Sequence, residues 1–370
     1  MHVPLVDLKA QYASIRAEVD RAICAVVESA GFIGGPELDA FEREFAAFCG
    51  TRFAIGVSNG TDAIRLALIA CGVQLGDEVV TVPHTFIATT EAISMVGAQI
   101  RFVDIDPHTM TMSPALLSRA IGPRTRVVLP VHLYGRPAQM DEICRIADNA
   151  GVTVIGDAAQ AHGSSFLGRK LAGYGHASTY SFYPGKNLGA YGDAGAVATN
   201  DASVAKSISM LRDHGREQKY SHAREGFNCR MDAIQAAILR AKLPHLEQWN
   251  ARRIAIAKRY CEELRDVPGI TLPGLDEHCT QVFHLFVIRS SRRDRFVSKL
   301  KERGIDAGIH YPVPLHLQPA YRHLSLGPGS FPAAESAASE VLSLPIYPEM
   351  TGEQVQYVVD QSRNIAGLLA

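Results

Sequence analysis

One lysine stands in a segment that could carry imine chemistry. The segment from Tyr180 to Gly195 reads YSFYPGKNLGAYGDAG, and Lys186 is its only lysine. A lysine amine forms imines with carbonyl groups, and partial burial lowers its pKa from about 10.4 toward neutrality. Small and aromatic neighbours favour such a close-packed setting. Because most lysines are solvated surface charges, however, the segment alone leaves both interpretations open.

An aspartate follows an apolar run in the segment VTVIGDAAQ, which begins at Val152. Ligands of open α/β sheets bind at the carboxyl ends of strands, so Asp157 would face a bound ligand there. A carboxylate in this position suits a protonated pyridine nitrogen and would keep such a ring an electron sink. Gln160, three residues on, could hydrogen-bond a ring hydroxyl. Alternatively, Asp157 caps the segment that follows it.

A third segment, SNGTDA from Ser58, joins an apolar run to a helical pattern. The backbone N–H groups and the dipole of such a helix start favour a phosphate, which points to Gly60 and Thr61. An aspartate beside a phosphate is unfavourable unless it points away, so we expect backbone contacts there. Thr61 or Asp62 could instead simply cap the helix. Ser181 is a second candidate donor to a phosphate.

The elements that must position these residues alternate along the chain. Apolar runs predict strands at 53–57, 78–82, 100–103, 126–131, 152–155, 178–182 and 194–199. Helical patterns are predicted at 13–29, 36–49, 63–71, 87–96, 114–120 and 140–149. This alternation predicts an α/β fold with a mostly parallel sheet covered on both faces.

The pattern changes near residue 243. A long helical pattern there has an apolar face of Ile254, Ala257, Cys261 and Leu264. A strand at 281–288, a helix at 292–303 and a Pro-rich ordered loop at 310–320 follow. We therefore expect a large α/β domain over residues 1–244 and a smaller α+β domain over residues 245–370.

Composition narrows the class of protein. The 370 residues carry 37 basic and 38 acidic side chains, so no overall charge favours nucleic acid or an anionic membrane. Seven cysteines without a CxxC pair support neither a zinc site nor a disulfide framework, and we expect no metal site. With no signal-peptide pattern and no apolar run of membrane-spanning length, we expect a cytoplasmic protein.

Taken together, the motifs resemble one family. SNGTDA, DAAQAHG, SFYPGKNLGAYGDAG and GFNCRMDAIQAA, in this order, resemble the DegT/DnrJ family of sugar-nucleotide aminotransferases. The resemblance extends to the opening PLVDLKAQY and the late HYPVPLHLQPAY. It implies the aspartate aminotransferase-like fold type I of pyridoxal 5'-phosphate (PLP) enzymes. It also implies a PLP cofactor and transfer of an amino group from L-glutamate to the keto carbon of a nucleotide-linked sugar.

The resemblance assigns roles around the cofactor. Lys186 would hold PLP as a Schiff base and move protons, Asp157 would contact the pyridine nitrogen, and Gln160 the ring hydroxyl. His162 would support Asp157 from behind, or be a structural histidine. Phe86 would lie over the cofactor face; its alternative is a core residue opening a helix.

The phosphate contacts implied by the resemblance involve two subunits. Gly60, Thr61 and Ser181 would hold the phosphate from one chain. Asn228 would reach it from the second chain, which implies a homodimer with shared active sites. Without the resemblance, Asn228 is a turn residue after Gly226.

The Pro-rich segment bears on the substrate. It resembles the branch of the family that aminates carbon 3 of dTDP-3-keto-6-deoxyhexoses, which implies that His310, Tyr311 and Tyr183 lie near the hexose. Alternatively, these aromatic residues pack the small domain. Lys219, Tyr220 and Arg230 lie in a segment that could meet the pyrophosphate.

Several alternatives stay open from sequence. Within the family, these are amination at carbon 4 or of a UDP-linked sugar; the dehydratase members carry His where this chain has Lys186. A nicotinamide-dependent oxidoreductase is disfavoured because the first strand–helix turn lacks GxGxxG. The third alternative is a non-catalytic regulator with the same fold.

Overall fold

A computed structural model describes residues 1–369. Its twelve α-helices in these residues are α1 (Leu8–Ser29), α2 (Pro36–Cys49), α3 (Gly60–Ala70), α4 (Ala88–Met95), α5 (Pro114–Ala120), α6 (Met140–Asn149), α7 (Ala202–Leu211), α8 (Ala233–Lys242), α9 (Leu246–Glu263), α10 (Arg293–Glu302), α11 (Pro332–Glu340) and α12 (Gly352–Leu369). Its strands are β1 (Phe53–Val57), β2 (Glu78–Thr81), β3 (Gln99–Phe102), β4 (Thr125–Val128), β5 (Thr153–Asp157), β6 (Ser165–Phe166), β7 (Arg169–Lys170), β8 (Ala177–Ser181), β9 (Gly195–Thr199), β10 (Arg216–Gln218), β11 (Ser221–His222), β12 (Cys279–Thr280), β13 (Phe286–Arg289) and β14 (Val341–Leu344).

Seven of these strands form the central sheet, in the order β1-β9-β8-β5-β4-β2-β3. Strand β9 is antiparallel to both of its neighbours, and the other pairs are parallel. Successive strand residues point to opposite faces. Val79 and Val127 accordingly belong to one buried cluster, and Val80 and Val128 to another. The expected mostly parallel sheet with both faces covered is confirmed.

The strand order brings the candidate site residues to one edge of the sheet. Strand β5 ends at Asp157, and its neighbour β8 ends at Ser181. Gly195 pairs with both Val57 and Ser181, so the turn that follows β1 meets the end of β8. A Cβ atom at Gly195 would lie 2.4 Å from the carbonyl oxygen of Asn59, so only glycine fits this crossing. The sheet therefore places the carboxyl end of β5, the carboxyl end of β8 and the turn after β1 next to one another.

The last third of the chain has its own buried hydrophobic cluster. Strands β13 and β14 pair antiparallel, and α9, α10 and α12 supply buried residues to the same cluster. Val3 also belongs to it and bridges to Ile305. The division into domains between residues 244 and 245 stays a prediction. Residue 370, the last residue of the predicted small domain, lies outside the described part of the chain.

Some predicted elements differ from the structure in extent. The strand expected from residue 281 begins only at Phe286, and β4 stops at Val128, two residues before Pro130. The Pro-rich segment, expected as a loop, includes short 3-10 helices at Leu315–Leu317 and Pro319–Leu324. None of the helices within residues 1–369 combines the length and apolar character needed to cross a lipid bilayer.

Candidate active site

A cavity of about 570 Å³ opens at the carboxyl edge of the sheet, between the sheet and the last third of the chain. That volume suits a ligand of small-molecule size. Its lining includes most of the residues that the sequence singles out: Gly60, Thr61, Phe86, Asp157, Gln160, Ser181, Tyr183, Lys186, His310 and Tyr311. Within residues 1–369, no three His, Cys, Asp or Glu side chains are grouped as metal ligands.

Lys186 lines this cavity at the end of a tight turn. Its N–H donates to the carbonyl oxygen of Tyr183 at 2.8 Å. Burial lowers the pKa of its amine to about 8, while the charge of Asp157 opposes that shift. A substantial fraction of the amine is therefore neutral near pH 8, as a nucleophile or general base requires. Lys186 is not a solvated surface charge.

Asp157 is 5% exposed and held by two hydrogen bonds. Thr89 Oγ1 donates to Asp157 Oδ2 at 2.9 Å, and the N–H of Ala159 donates to Oδ1 at 3.2 Å. Burial raises the pKa of this carboxyl group, and the two hydrogen bonds and the charge of Lys186 oppose that shift. Asp157 does contact the segment after it, yet its carboxylate also faces the cavity. A cationic ligand group there would receive a buried counter-charge.

His162 does not support Asp157. The turn after β5 carries its ring between Tyr180 and Phe182, at centroid distances of 5.4 and 5.6 Å. Neither ring nitrogen has a hydrogen-bond partner, and burial lowers the pKa of the ring to about 3. The supporting side chain is Thr89 instead, which sequence reasoning missed because 68 residues separate it from Asp157.

The start of α3 forms a cradle with Ser181. The helix begins at Gly60 and is capped by Asn59, whose side chain accepts from the N–H of Asp62. Capping by Thr61 or Asp62 is therefore wrong. No residue within 1–369 accepts a hydrogen bond from the N–H of Gly60 or Thr61. Two free N–H groups at a helix start, beside a serine hydroxyl, suit a phosphate.

Asp62, at the start of α3, is paired with other side chains on the side away from the cradle. Asp62 pairs with Arg65 at 2.7 Å and accepts from the hydroxyl of Ser58 at 2.5 Å. It does not line the cavity. The expectation that contacts to an anion come from the backbone here agrees with this arrangement.

Gln160 is oriented by its neighbours. Its Oε1 atom accepts from the N–H of Tyr134 at 2.7 Å, and Nε2 donates to the hydroxyl of Tyr311 at 3.2 Å. The remaining N–H of Nε2 is left as a donor. Since the hydroxyl of Tyr134 donates to the carbonyl oxygen of His310, it accepts from His84 Nε2 at 2.8 Å. A buried chain of hydrogen bonds thus links the large sheet to the Pro-rich segment.

The aromatic candidates frame the mouth of the cavity. Phe86 is 54% exposed and lies 5.7 Å from the ring of Tyr311, so it is not a core residue. Tyr183 is 61% exposed at the cavity edge. His310 lines the cavity and shares a hydrogen bond of 2.8 Å with Ser343, and burial lowers its pKa to about 4. His310 and Tyr311 therefore contribute to the cavity wall as well as to packing.

The residue after the lysine is fixed by a polar network that sequence reasoning missed. Asn187 Nδ2 donates to Asn250 Oδ1 at 2.8 Å and to the carbonyl oxygen of Val282 at 3.0 Å. Its Oδ1 must then be the acceptor for His284 Nδ1 at 3.3 Å. The network joins the lysine turn to α9 and holds it in place. Its signal in the sequence is Asn250, a polar residue on the buried stripe of α9.

Four candidates, Lys219, Tyr220, Asn228 and Arg230, lie outside the cavity wall of this chain. Lys219 stands in the exposed hairpin of β10 and β11, beside Tyr220. Arg230 pairs with Asp213 at 2.8 Å, and Asn228 is exposed. The fold does not bring these residues to the cavity of their own chain.

Comparison with known proteins agrees with this geometry. The profile of the DegT/DnrJ/EryC1/StrS aminotransferase family matches residues 13–363. The chain belongs to this family. It is accordingly an enzyme of the transaminase type, and the family depends on PLP.

Individual relatives match over nearly their whole length. The dTDP-3-amino-3,4,6-trideoxy-alpha-D-glucose transaminase of Streptomyces venezuelae is 49% identical over 98% of this chain and 96% of its own. The erythromycin biosynthesis sensory transduction protein EryC1 of Saccharopolyspora erythraea is 48% identical over 97% and 98%. The crystal structure of DesV from S. venezuelae, in complex with a ketimine intermediate, superposes with a TM-score of 0.97. It is 48% identical and covers 99% of this chain and 98% of its own.

Proposed function

We propose that this chain binds PLP through Lys186 and transfers an amino group from L-glutamate to the keto carbon of a nucleotide-linked sugar. The observation that carries the proposal is the convergence of Lys186, Asp157 and the Gly60–Ser181 cradle on one cavity. The donor set fits the cofactor: an amine for its aldehyde, a buried carboxylate for its ring nitrogen and free N–H groups for its phosphate. When bound, PLP supplies an electron sink for the α-carbon of an amino acid.

Each residue has a definite task in this proposal. Lys186 Nζ, when neutral and released from the cofactor, would take the proton that the α-carbon of the donor loses and would deliver it to the carbon of the cofactor that carried the aldehyde oxygen. Asp157 keeps a negative charge beside the ring nitrogen, with Thr89 orienting its carboxylate. Gln160 would offer its free N–H to the ring hydroxyl of the bound cofactor. Phe86 and Tyr311 limit the entry of water to the reacting atoms.

The cradle gives a direct test of cofactor binding. A Cβ atom at Gly60 would lie 2.6 Å from Ser181 Cβ, so Gly60→Ala must displace one side of the cradle. We expect the dissociation constant of PLP to rise at least about tenfold, the loss of one charge-assisted hydrogen bond to phosphate. Equilibrium dialysis of PLP measures it. Gly327→Ala, which adds a Cβ in open space, is the matched control, and equal affinity in both variants would refute the cradle.

The pKa of Lys186 predicts the pH dependence of cofactor attachment. Only the neutral amine attacks an aldehyde, and burial lowers the pKa of Lys186 to about 8. We expect the rate at which PLP attaches to cofactor-free protein to rise with pH and reach half its maximum near pH 8. Stopped-flow absorbance follows the attachment. A midpoint near the value for an exposed lysine, about 10.4, would contradict the burial argument.

The proposed substrate is a dTDP-3-keto-6-deoxyhexose, aminated at carbon 3. The S. venezuelae relative, named as a dTDP-3-amino-sugar transaminase, supports this choice. The positions of His310, Tyr311 and Tyr183 at the cavity support contacts to the hexose. Amination at carbon 4 and a UDP carrier are the alternatives.

We further propose that two chains share each active site. In this proposal, Asn228 reaches the phosphate of the cofactor in the partner chain, and Lys219 or Arg230 meets the pyrophosphate of the substrate. Their positions on the surface, away from the cavity of their own chain, are what such a contribution across an interface requires.

The function is tested with a panel of keto-sugar nucleotides. Purified protein is incubated with PLP, L-glutamate and dTDP- or UDP-linked 3-keto and 4-keto sugars, and the amino sugars are identified by mass spectrometry. We expect amination of the dTDP-3-keto-6-deoxyhexose. Amination of a 4-keto or UDP-linked sugar alone would overturn the substrate proposal. No amino transfer to any sugar would favour the regulator class.

A further inference from the structure

A second cavity, of about 200 Å³, shares a wall with the cavity of the candidate active site. Leu285 lines both cavities, and Tyr134, which lines the second, donates its N–H to Gln160 of the first. The volume lies below the range of about 300–1,000 Å³ that is typical of sites for drug-sized ligands, so the second cavity suits a smaller molecule. The proposed amino transfer takes place in the first cavity and does not require the second.

Arg136 places a buried charge in the wall of this second cavity. The residue is 9% exposed, and Nη1 donates to the carbonyl oxygen of Gly274. Nε and Nη2 make no hydrogen bond to residues 1–369. One carboxylate, that of Asp276, lies 3.7 Å from Nη2, beyond hydrogen-bond distance, and it is not part of the cavity lining. A buried guanidinium with free N–H groups favours an anion that a ligand supplies.

The rest of the lining indicates which kind of anion fits. Within residues 1–369, no Asp or Glu lines this cavity, and its other arginine, Arg289, is already paired with Glu340 at 2.8 Å. Apolar side chains form much of the wall: Met110, Leu272, Pro273, Leu285 and Val287. Inorganic phosphate would not cover this apolar surface, whereas a carboxylate on a short hydrocarbon body would remove it from water.

We propose that the second cavity is a binding site for a small organic carboxylate, held by the Nε–Nη2 edge of Arg136. A planar guanidinium edge matches a carboxylate with two parallel hydrogen bonds, which orients the ligand as well as binding it. The hydrocarbon body of the ligand packs against Leu285 and Val287 and lies beside Tyr134. The ligand is thus separated from the active-site cavity by a wall one residue thick. Binding here requires neither PLP nor the proposed transfer reaction.

The experiment uses benzoate as the probe, because it joins one carboxylate to a flat apolar ring. Ligand-observed NMR titrations, with and without PLP, compare the unaltered chain with Arg136→Gln and Arg136→Lys. Arg145→Gln, which removes an exposed arginine on α6, is the matched control. We expect a dissociation constant below about 10 mM in the unaltered chain and in the control. It should rise at least about tenfold in Arg136→Gln, and at least about threefold in Arg136→Lys, which keeps the charge but loses the planar edge.

Two controls locate the ligand and identify its chemistry. Circular dichroism melting checks that the variants fold, and Arg136→Lys supplies the comparison if Arg136→Gln does not. Lys186→Ala is expected to bind benzoate as the unaltered chain does, and inorganic phosphate is expected to bind at least about tenfold more weakly than benzoate.

Three results would overturn the inference. The first is an absence of benzoate binding to the unaltered chain, or an unchanged affinity in the folded Arg136 variants. The second is an affinity for benzoate that is lost in Lys186→Ala but kept in Arg136→Gln, which would place the ligand in the active-site cavity. The third is phosphate binding as tight as that of benzoate, since the apolar wall would then contribute nothing.

Discussion

Lys186→Ala is expected to lower the rate of amino transfer on the order of 10⁴-fold, the upper range for loss of a general base, and to abolish covalent attachment of the cofactor. The amine is the one cavity group whose pKa, at about 8, allows it to be nucleophile and base near neutral pH. Arginine in its place remains charged, so Lys186→Arg is expected to be equally inactive. Single-turnover assays with L-glutamate measure the loss.

Matched controls separate this effect from loss of structure. Lys258→Ala removes an exposed lysine on α9 and is expected to leave the rate unchanged. Because Lys186 lines the cavity and burial disfavours the charge of its amine, its removal is expected to shift the melting temperature only slightly. A Lys186→Ala protein with more than about a tenth of the original rate would contradict the role of the amine as general base.

Asp157→Asn is expected to lower amino transfer about 10²- to 10³-fold, the range for loss of one preorganised electrostatic contact. Asparagine keeps the shape of the side chain and can still accept from Thr89, but it cannot balance a positive charge on the ring nitrogen. Thr89→Val is the milder variant for comparison, because it keeps the charge of Asp157 and removes only one hydrogen bond of 2.9 Å to its carboxylate. We expect it to cost about tenfold.

The order of these effects is the discriminating result. Steady-state rates with L-glutamate, measured at saturating PLP, give the ranking. If the charge of Asp157 matters, Asp157→Asn is slower than Thr89→Val by at least about tenfold. If Asp157 only caps the segment after it, both variants are expected to retain nearly full activity and to differ in melting temperature alone. That outcome would remove Asp157 from the active site.

Local sequence patterns predicted most of the elements that hold the site. Helices α2, α5 and α6 have the predicted bounds. Their boundaries depend on local signals, which are a proline at the first helical residue or a turn directly after the last one. The position of Asp157 followed from one rule, that ligands bind at the carboxyl ends of parallel strands. Strand β1, with the predicted bounds, leads directly into the turn before Gly60.

The partners of the site residues could not be predicted, since they come from distant parts of the chain. Thr89 and Asp157 are 68 residues apart, and Asn187 and Asn250 are 63 apart. On α9 the apolar pattern pointed to Ile254, whereas the structure buries Arg253 more deeply. The signal in the sequence was a charged residue at a buried position of the helix. A search for hydrophobic periodicity does not detect it, because such a search counts only apolar residues.

Covalent attachment of the cofactor to Lys186 is the most direct test of the central claim. The protein is loaded with PLP, reduced with borohydride and digested, and the modified peptide is sequenced by mass spectrometry. We expect one pyridoxyl group per chain, on Lys186 within the peptide that contains PGKNLG. The same treatment of Lys186→Ala should leave no modified peptide. A stable pyridoxyl group on another lysine, or none in the unaltered chain, would contradict the account.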